Sequence, residues 1–188
     1  MNPEGEHTVG RWLRDRAASD PRRIAIDDRG VLVDYATLYA RAATLAERLI
    51  GAGYGAGGRI STVSGNSVDH VVAFFACAFA GIAFIPLSWR LTPGELGTLI
   101  ARSSPDLVLV DGEHAALAGE ALRTLPMQQG VVGESAAGAG AGADANPANP
   151  TCPPQAPLGL AGVEQYVPHA RIARASRPAR NDDPLLVI

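Results

Sequence analysis

Gly53-Tyr54-Gly55-Ala56-Gly57-Gly58 matches the G-x-G-x-x-G pattern letter for letter. Such glycines hold a dinucleotide only where they follow a strand and open a helix, so that the pyrophosphate meets the helix amino terminus. Here a helical pattern precedes them and a strand pattern follows, so the segment reads as a helix stop and a loose turn. A Walker-type phosphate loop needs a lysine, and all sixteen basic residues of this chain are arginine. His7, His70, His114 and His169 show no spacing that repeats a metal pattern. Asp111-Gly112-Glu113-His114 can be drawn as a ligand cluster. It reads better as a strand-to-helix turn whose acidic residues complement the helix dipole. Cys77 lies within an apolar helical run and reads as inert packing, and Cys152 has no evident base near it. Arg90 and Arg102 flank structural signals and read as solvated or capping groups. These residues yield no catalytic, cofactor-binding or metal-binding site.

The elements around them alternate. Ile24 to Ile26 and Val31 to Val33 are short β-branched runs joined by Asp27-Asp28-Arg29-Gly30, a hairpin signal. Asp34 stands at an N-cap position, and Leu38, Ala42, Leu45 and Leu49 repeat at helical spacing up to Gly51 and Gly53. Arg59 to Ser64 reads as a strand. Asn66 or Ser67 caps a helix apolar on most sides (Val68, Val71, Val72, Phe75, Phe79), which must therefore be buried between layers. Ile82 to Leu87 is the next strand. Thr92-Pro93-Gly94-Glu95 is a capping box with proline at the first helical position, and Leu96, Leu99 and Ile100 form the apolar stripe of its helix. Leu107 to Val110 is a strand, His114 to Leu125 a helix, and Val131-Val132 a further short strand. Helices alternating with apolar strands imply a layered α/β fold with a parallel sheet.

The chain has 188 residues, 47% hydrophobic and 19% charged, with a formal net charge of −3. That length suits one domain or slightly more and allows a core without disulfides. Two cysteines exclude a disulfide scaffold or a cysteine-only zinc site. The mildly acidic balance argues against a nucleic-acid partner. Val71 to Leu87 carries no charge, but it is shorter than the ~20 residues a bilayer needs, and Gly81 and Pro86 divide it. No membrane span and no targeting segment are expected, and a cytoplasmic location is. Five of the ten aromatics fall between Phe74 and Trp89, and only Tyr166 follows, so the core belongs to the first half. Between Gly133 and Gly162 twenty of thirty residues are Ala, Gly or Pro, too little apolar area to offset the entropy of ordering. The expected organisation is an α/β subdomain over 1–132, a flexible linker or insertion over 133–162, and a helix and final strand over 163–188.

Ala73-Phe74-Phe75-Ala76-Cys77, followed by Ala80-Gly81-Ile82-Ala83-Phe84-Ile85-Pro86-Leu87-Ser88-Trp89-Arg90-Leu91-Thr92-Pro93-Gly94-Glu95-Leu96, resembles the second core motif of the adenylate-forming superfamily, the AMP-dependent synthetases and ligases. Trp89 to Pro93 is similar to the acyl-CoA synthetase branch. Asp34-Tyr35-Ala36-Thr37-Leu38 resembles the first core motif, with Asp34 and Thr37 in place of its usual Thr and Glu, and Ser88 replaces a common Asn. Asn181-Asp182-Asp183-Pro184-Leu185-Leu186-Val187-Ile188 resembles the strand that leads into the family's phosphate loop.

The resemblance covers residues 8–125 and, briefly, 180–188. It implies the amino-terminal part of an acyl-CoA synthetase-like large domain, incomplete, whose family uses ATP, magnesium and coenzyme A to turn a carboxylic acid into an acyl-adenylate and then a thioester. The family's phosphate loop, adenine pocket, ribose-binding aspartate, hinge and catalytic lysine correspond to positions after Ile188. The expectation is a fragment that binds none of these cofactors and is inactive alone, its partner the remaining part of the enzyme. The alternatives are a non-catalytic module that complements a separately encoded remainder, and a regulatory nucleotide-binding domain using residues 53–58.

Overall fold

A computed structural model describes residues 8–125 and the strand at 163–166. In chain order the elements are α1 (Val9–Ser19), β1 (Ile24–Asp28), β2 (Val31–Asp34), α2 (Tyr35–Gly51), β3 (Arg59–Val63), α3 (Val68–Ala80), β4 (Ala83–Leu87), α4 (Pro93–Ser103), β5 (Leu107–Asp111), a 3₁₀ turn (Gly112–His114), α5 (Ala115–Arg123) and β6 (Val163–Tyr166). β1 and β2 form an antiparallel hairpin, and a second sheet has the order β4-β3-β5-β6. β3 is parallel to β4 and to β5, as the alternation of elements predicts, whereas β6 is antiparallel to β5. The sheet is thus mixed at one edge. Of the 163–188 segment, expected to hold a helix and a final strand, the first four residues form that edge strand. Val131-Val132, the 133–162 stretch with Cys152, and residues 167–188 lie outside the described residues.

Local chemistry accounts for the element ends. Arg29 (φ 53°) and Gly30 (φ 89°) are both left-handed, the backbone that lets a two-residue hairpin follow the strand twist. Asp27 Oδ1 accepts from the Gly30 N–H at 2.8 Å. Asp34 caps α2 by accepting from the Thr37 N–H at 2.8 Å. Of the two candidates before α3, Ser67 is the cap, its Oγ accepting from the His70 N–H at 3.2 Å. At α4 the box is complete: Glu95 Oε2 accepts from the Thr92 N–H at 2.9 Å, and Thr92 Oγ1 accepts from the Glu95 N–H at 3.4 Å. The bond from the Thr92 backbone, then the one from its hydroxyl, holds the Glu95 carboxyl below the usual range. Thr92→Ala removes one half of this reciprocal pair and is expected to lower stability by about 1 kcal/mol, read as a lower urea midpoint with an unchanged slope.

The core has two halves, one on each face of the sheet. Leu107 and Leu109 of β5, with Ile60 and Phe84, pack against α1, α2 and α3, including Leu38, Ala42, Leu45 and Leu49 of the expected α2 stripe. Val108 and Val110, with Val63, pack against Leu96 and Ile100 of α4 and Ala118, Ala121 and Leu122 of α5. The division follows from the period-2 alternation of side chains along a strand. Cys77 is fully buried in the first half, and burial pushes its thiol pKa up.

Two features depart from the pattern read in the sequence. α1 is an additional helix in a polar segment: it buries only Gly10 and Leu13, and Trp12 lies stacked 6.2 Å from Phe75 while remaining half exposed. On α4, Leu99 is turned outward at 38% exposure, and Gly97 takes its place on the buried face beside Leu96 and Ile100. Among the described residues no helix is long and apolar enough to cross a membrane.

Candidate functional site

β3 and β5 are neighbours, yet β3 leads into α3 on one face of the sheet and β5 leads into α5 on the other. In an open α/β sheet this reversal leaves a crevice beyond the carboxyl ends of the two strands, the usual position of a ligand site. A cleft of about 160 Å³ lies there, bounded by the end of β3, the first turn of α3 and the end of β5, with Arg29 of the hairpin at its rim.

Asp111 ties its walls together. Its Oδ2 accepts from the Gly65 N–H in the β3–α3 loop at 2.8 Å. Its Oδ1 accepts from the His114 backbone N–H at 3.0 Å and meets His114 Nδ1 at 2.5 Å. Burial alone would raise the Asp111 carboxyl pKa. The hydrogen bonds from Gly65, His114 and Ser64, with the charge of His114, outweigh burial and hold it below the usual range. The His114 ring in turn lies 5.1 Å from the Trp89 ring, over which the Arg90 guanidinium sits at 4.2 Å.

Among the described residues, two polar atoms in the cleft wall have no partner. Thr62 is 2% exposed and its Oγ1 makes no hydrogen bond to another described residue, and neither does the buried His70 Nδ1. The His70 ring packs edge-on against Phe84 at 5.3 Å. Burial lowers its pKa from the ordinary 6.5, opposed in part by the charge of Asp111. A histidine depressed in the folded state binds its proton more readily when unfolded, so stability falls as pH drops below the unfolded value near 6.5. Asp111, depressed below 3.8, adds its own loss only as pH falls further, toward and below that value. His70→Gln is therefore expected to flatten the dependence of Tm on pH between about 7 and 5. The difference between the two melting profiles gives the contribution of His70.

The residues singled out by sequence patterns fall elsewhere or take local roles. The 53–58 turn sits at the amino end of β3, opposite the cleft. There the Gly58 N–H donates to Gly55 O at 2.8 Å and the Gly57 N–H to Gly81 O at 3.1 Å. Asp111 caps the 3₁₀ turn, as the strand-to-helix reading predicts, and among the described residues no group of His, Cys, Asp and Glu could hold a metal ion. Arg102 lies in the last turn of α4. Thr62 belongs to no sequence pattern, and His70 enters only as one of four histidines without metal-ligand spacing. Their signal is a hydroxyl in an apolar strand and an imidazole in the first turn of an apolar helix.

A family model described as "AMP-binding enzyme" matches residues 13–188. A feruloyl-CoA synthase from Amycolatopsis sp is 34% identical over 122 residues, which are 63% of this chain and 25% of that protein. A 2-succinylbenzoate–CoA ligase from Geobacillus kaustophilus is 33% identical over 108 residues, 57% of this chain and 22% of that one. The structure of a fatty acyl CoA synthetase from Mycobacterium tuberculosis superposes with a TM-score of 0.58 at 28% identity, covering 62% of this chain and 24% of that one. The chain spans about a quarter of the length of the curated relatives it matches.

Proposed function

The chain belongs to the AMP-binding enzyme family, and from that premise we propose that it supplies the amino-terminal α/β subdomain of a cytoplasmic ligase. That ligase would activate a carboxylic acid with ATP as an acyl-adenylate and pass the acyl group to the thiol of coenzyme A. The observation that carries this reading is the match to two enzymes named for CoA-ester formation, each over more than half of this chain.

Within that activity the described residues act as scaffold. Stabilising a transferring phosphoryl group takes fixed positive charge and oriented donors gathered at one place. Among the described residues several arginines are spent locally. Arg11 pairs with Asp15, Arg29 with Asp28 and Arg41 with Asp69, Arg59 donates to Ser103 O, and Arg90 covers Trp89. The cleft itself is lined by Asp69, Asp111 and Glu113 against the single guanidinium of Arg29, which opposes a triphosphate. The described residues do not fit ATP and its magnesium, so no step is assigned to them.

A second reading, in which the rest of the fold is a separate polypeptide that this chain complements, is favoured by the apolar hairpin. Val31 and Leu32 are 63% and 60% exposed, a surface that a further chain would cover. Both readings are tested by mixing this chain with a polypeptide carrying the later part of the family fold. Acyl-CoA formation from ATP, acid and CoA is expected in the mixture. No product in a mixture whose two parts co-purify would refute the scaffold role.

A further inference from the structure

The cleft beyond β3 and β5 holds polar groups that neither the fold nor the ligase reading employs. Thr62 Oγ1 and His70 Nδ1 are buried in its wall without hydrogen-bond partners among the described residues. Leaving buried polar atoms unpaired costs free energy that a bound group can recover. Asp111 stands beside them, a carboxylate whose charge is felt at His70, and Ala73 and Leu109 supply apolar wall. The formal charge of the lining is negative, because Asp69, Asp111 and Glu113 outnumber Arg29.

We propose that this cleft binds a small primary ammonium, its three N–H donors shared among Thr62 Oγ1, His70 Nδ1 and the Asp111 carboxylate, with its alkyl part against Ala73 and Leu109. An ammonium has donors only, and all three of these atoms can accept. A hydroxyl has one proton to give and leaves acceptors unmet. A carboxylate has none to give at neutral pH, and both a carboxylate and a phosphate meet repulsion from the acidic lining. The proposal concerns a ligand other than ATP or the acid, so its failure leaves the family reading intact, and the reverse holds as well.

The test uses the whole chain at constant ionic strength near neutral pH, titrated separately with n-propylammonium chloride, sodium propionate and 1-propanol. The Thr62 methyl and His70 ring resonances are followed by NMR. Saturable shifts are expected with the amine and none that saturate with the other two. Thr62→Val is expected to weaken amine binding about tenfold, the worth of one hydrogen bond to a charged donor. Thr62→Ser, which keeps the hydroxyl, restores it. Thermal melting of Thr62→Val at or above the parent temperature shows that the loss is not unfolding. The proposal is overturned if the amine gives no saturation, if propanol or propionate shifts the same resonances equally, or if Thr62→Val binds as the parent does. The first outcome describes a hole that only water fills, and the second a site without preference for an ammonium.

Discussion

Phe84→Ala is expected to remove about 3–5 kcal/mol of stability, the cost of a large aromatic deleted from a packed core. Phe84 is 2% exposed in β4 and packs against Phe74 at 5.6 Å and His70 at 5.3 Å, both near-perpendicular. Its register partner is Ile60 of the central strand β3. Deleting the ring therefore opens a void between the sheet and α3, where neither element can shift without disturbing α2 behind it. A domain of this size has only about 5–15 kcal/mol in hand. The variant should thus be close to its unfolding threshold at 37 °C. A urea titration reads the change directly, and a loss under about 1 kcal/mol would mean that β4 is not packed beneath α3 as described.

The second large effect is one of sign. A Cβ added at Gly97 would collide with Thr124 Oγ1 and come within 2.9 Å of the Ala121 carbonyl oxygen, which is backbone of α5 and cannot rotate away. Thr124 Oγ1 itself donates to that carbonyl at 2.6 Å. Gly97→Ala gains about 1 kcal/mol of helix propensity but forces α4 and α5 apart. The net expectation is destabilisation by about 1–3 kcal/mol, the range for overpacked sites. Gly119→Ala on α5 meets nothing within 4 Å, so the same substitution there should stabilise by about 1 kcal/mol. Opposite shifts of Tm for the two variants check the α4–α5 contact with helix propensity held constant.

What could be read from the sequence was local. Asp34, Ser67 and the Thr92–Glu95 box announce themselves because a cap is satisfied within three residues. The stripe Leu38, Ala42, Leu45 and Leu49 follows from helical period alone. α1 carries no such stripe, since Leu13 is the single large side chain it buries. Leu99 and Gly97 exchanged roles because two helices meeting at backbone distance favour a glycine over a leucine at the crossing. The cleft is less legible still. Thr62, His70 and Asp111 lie on three elements, and they meet only because β5 pairs with β3 rather than with β4. Alternation of helices and strands does not specify that order. A threonine in a strand also raises no suspicion, because it is a favoured strand residue. The 53–58 glycines show the converse: a pattern complete in letters, placed in a turn at the amino end of β3, opposite the cleft.

The scaffold role is most directly tested by magnesium-dependent ATP–pyrophosphate exchange with the purified 188-residue chain alone, offered a panel of aromatic and aliphatic carboxylic acids. Exchange indistinguishable from a no-protein blank with every acid is the predicted result. An acid-dependent signal that scales with protein concentration would contradict it, because these residues would then be gripping a triphosphate themselves.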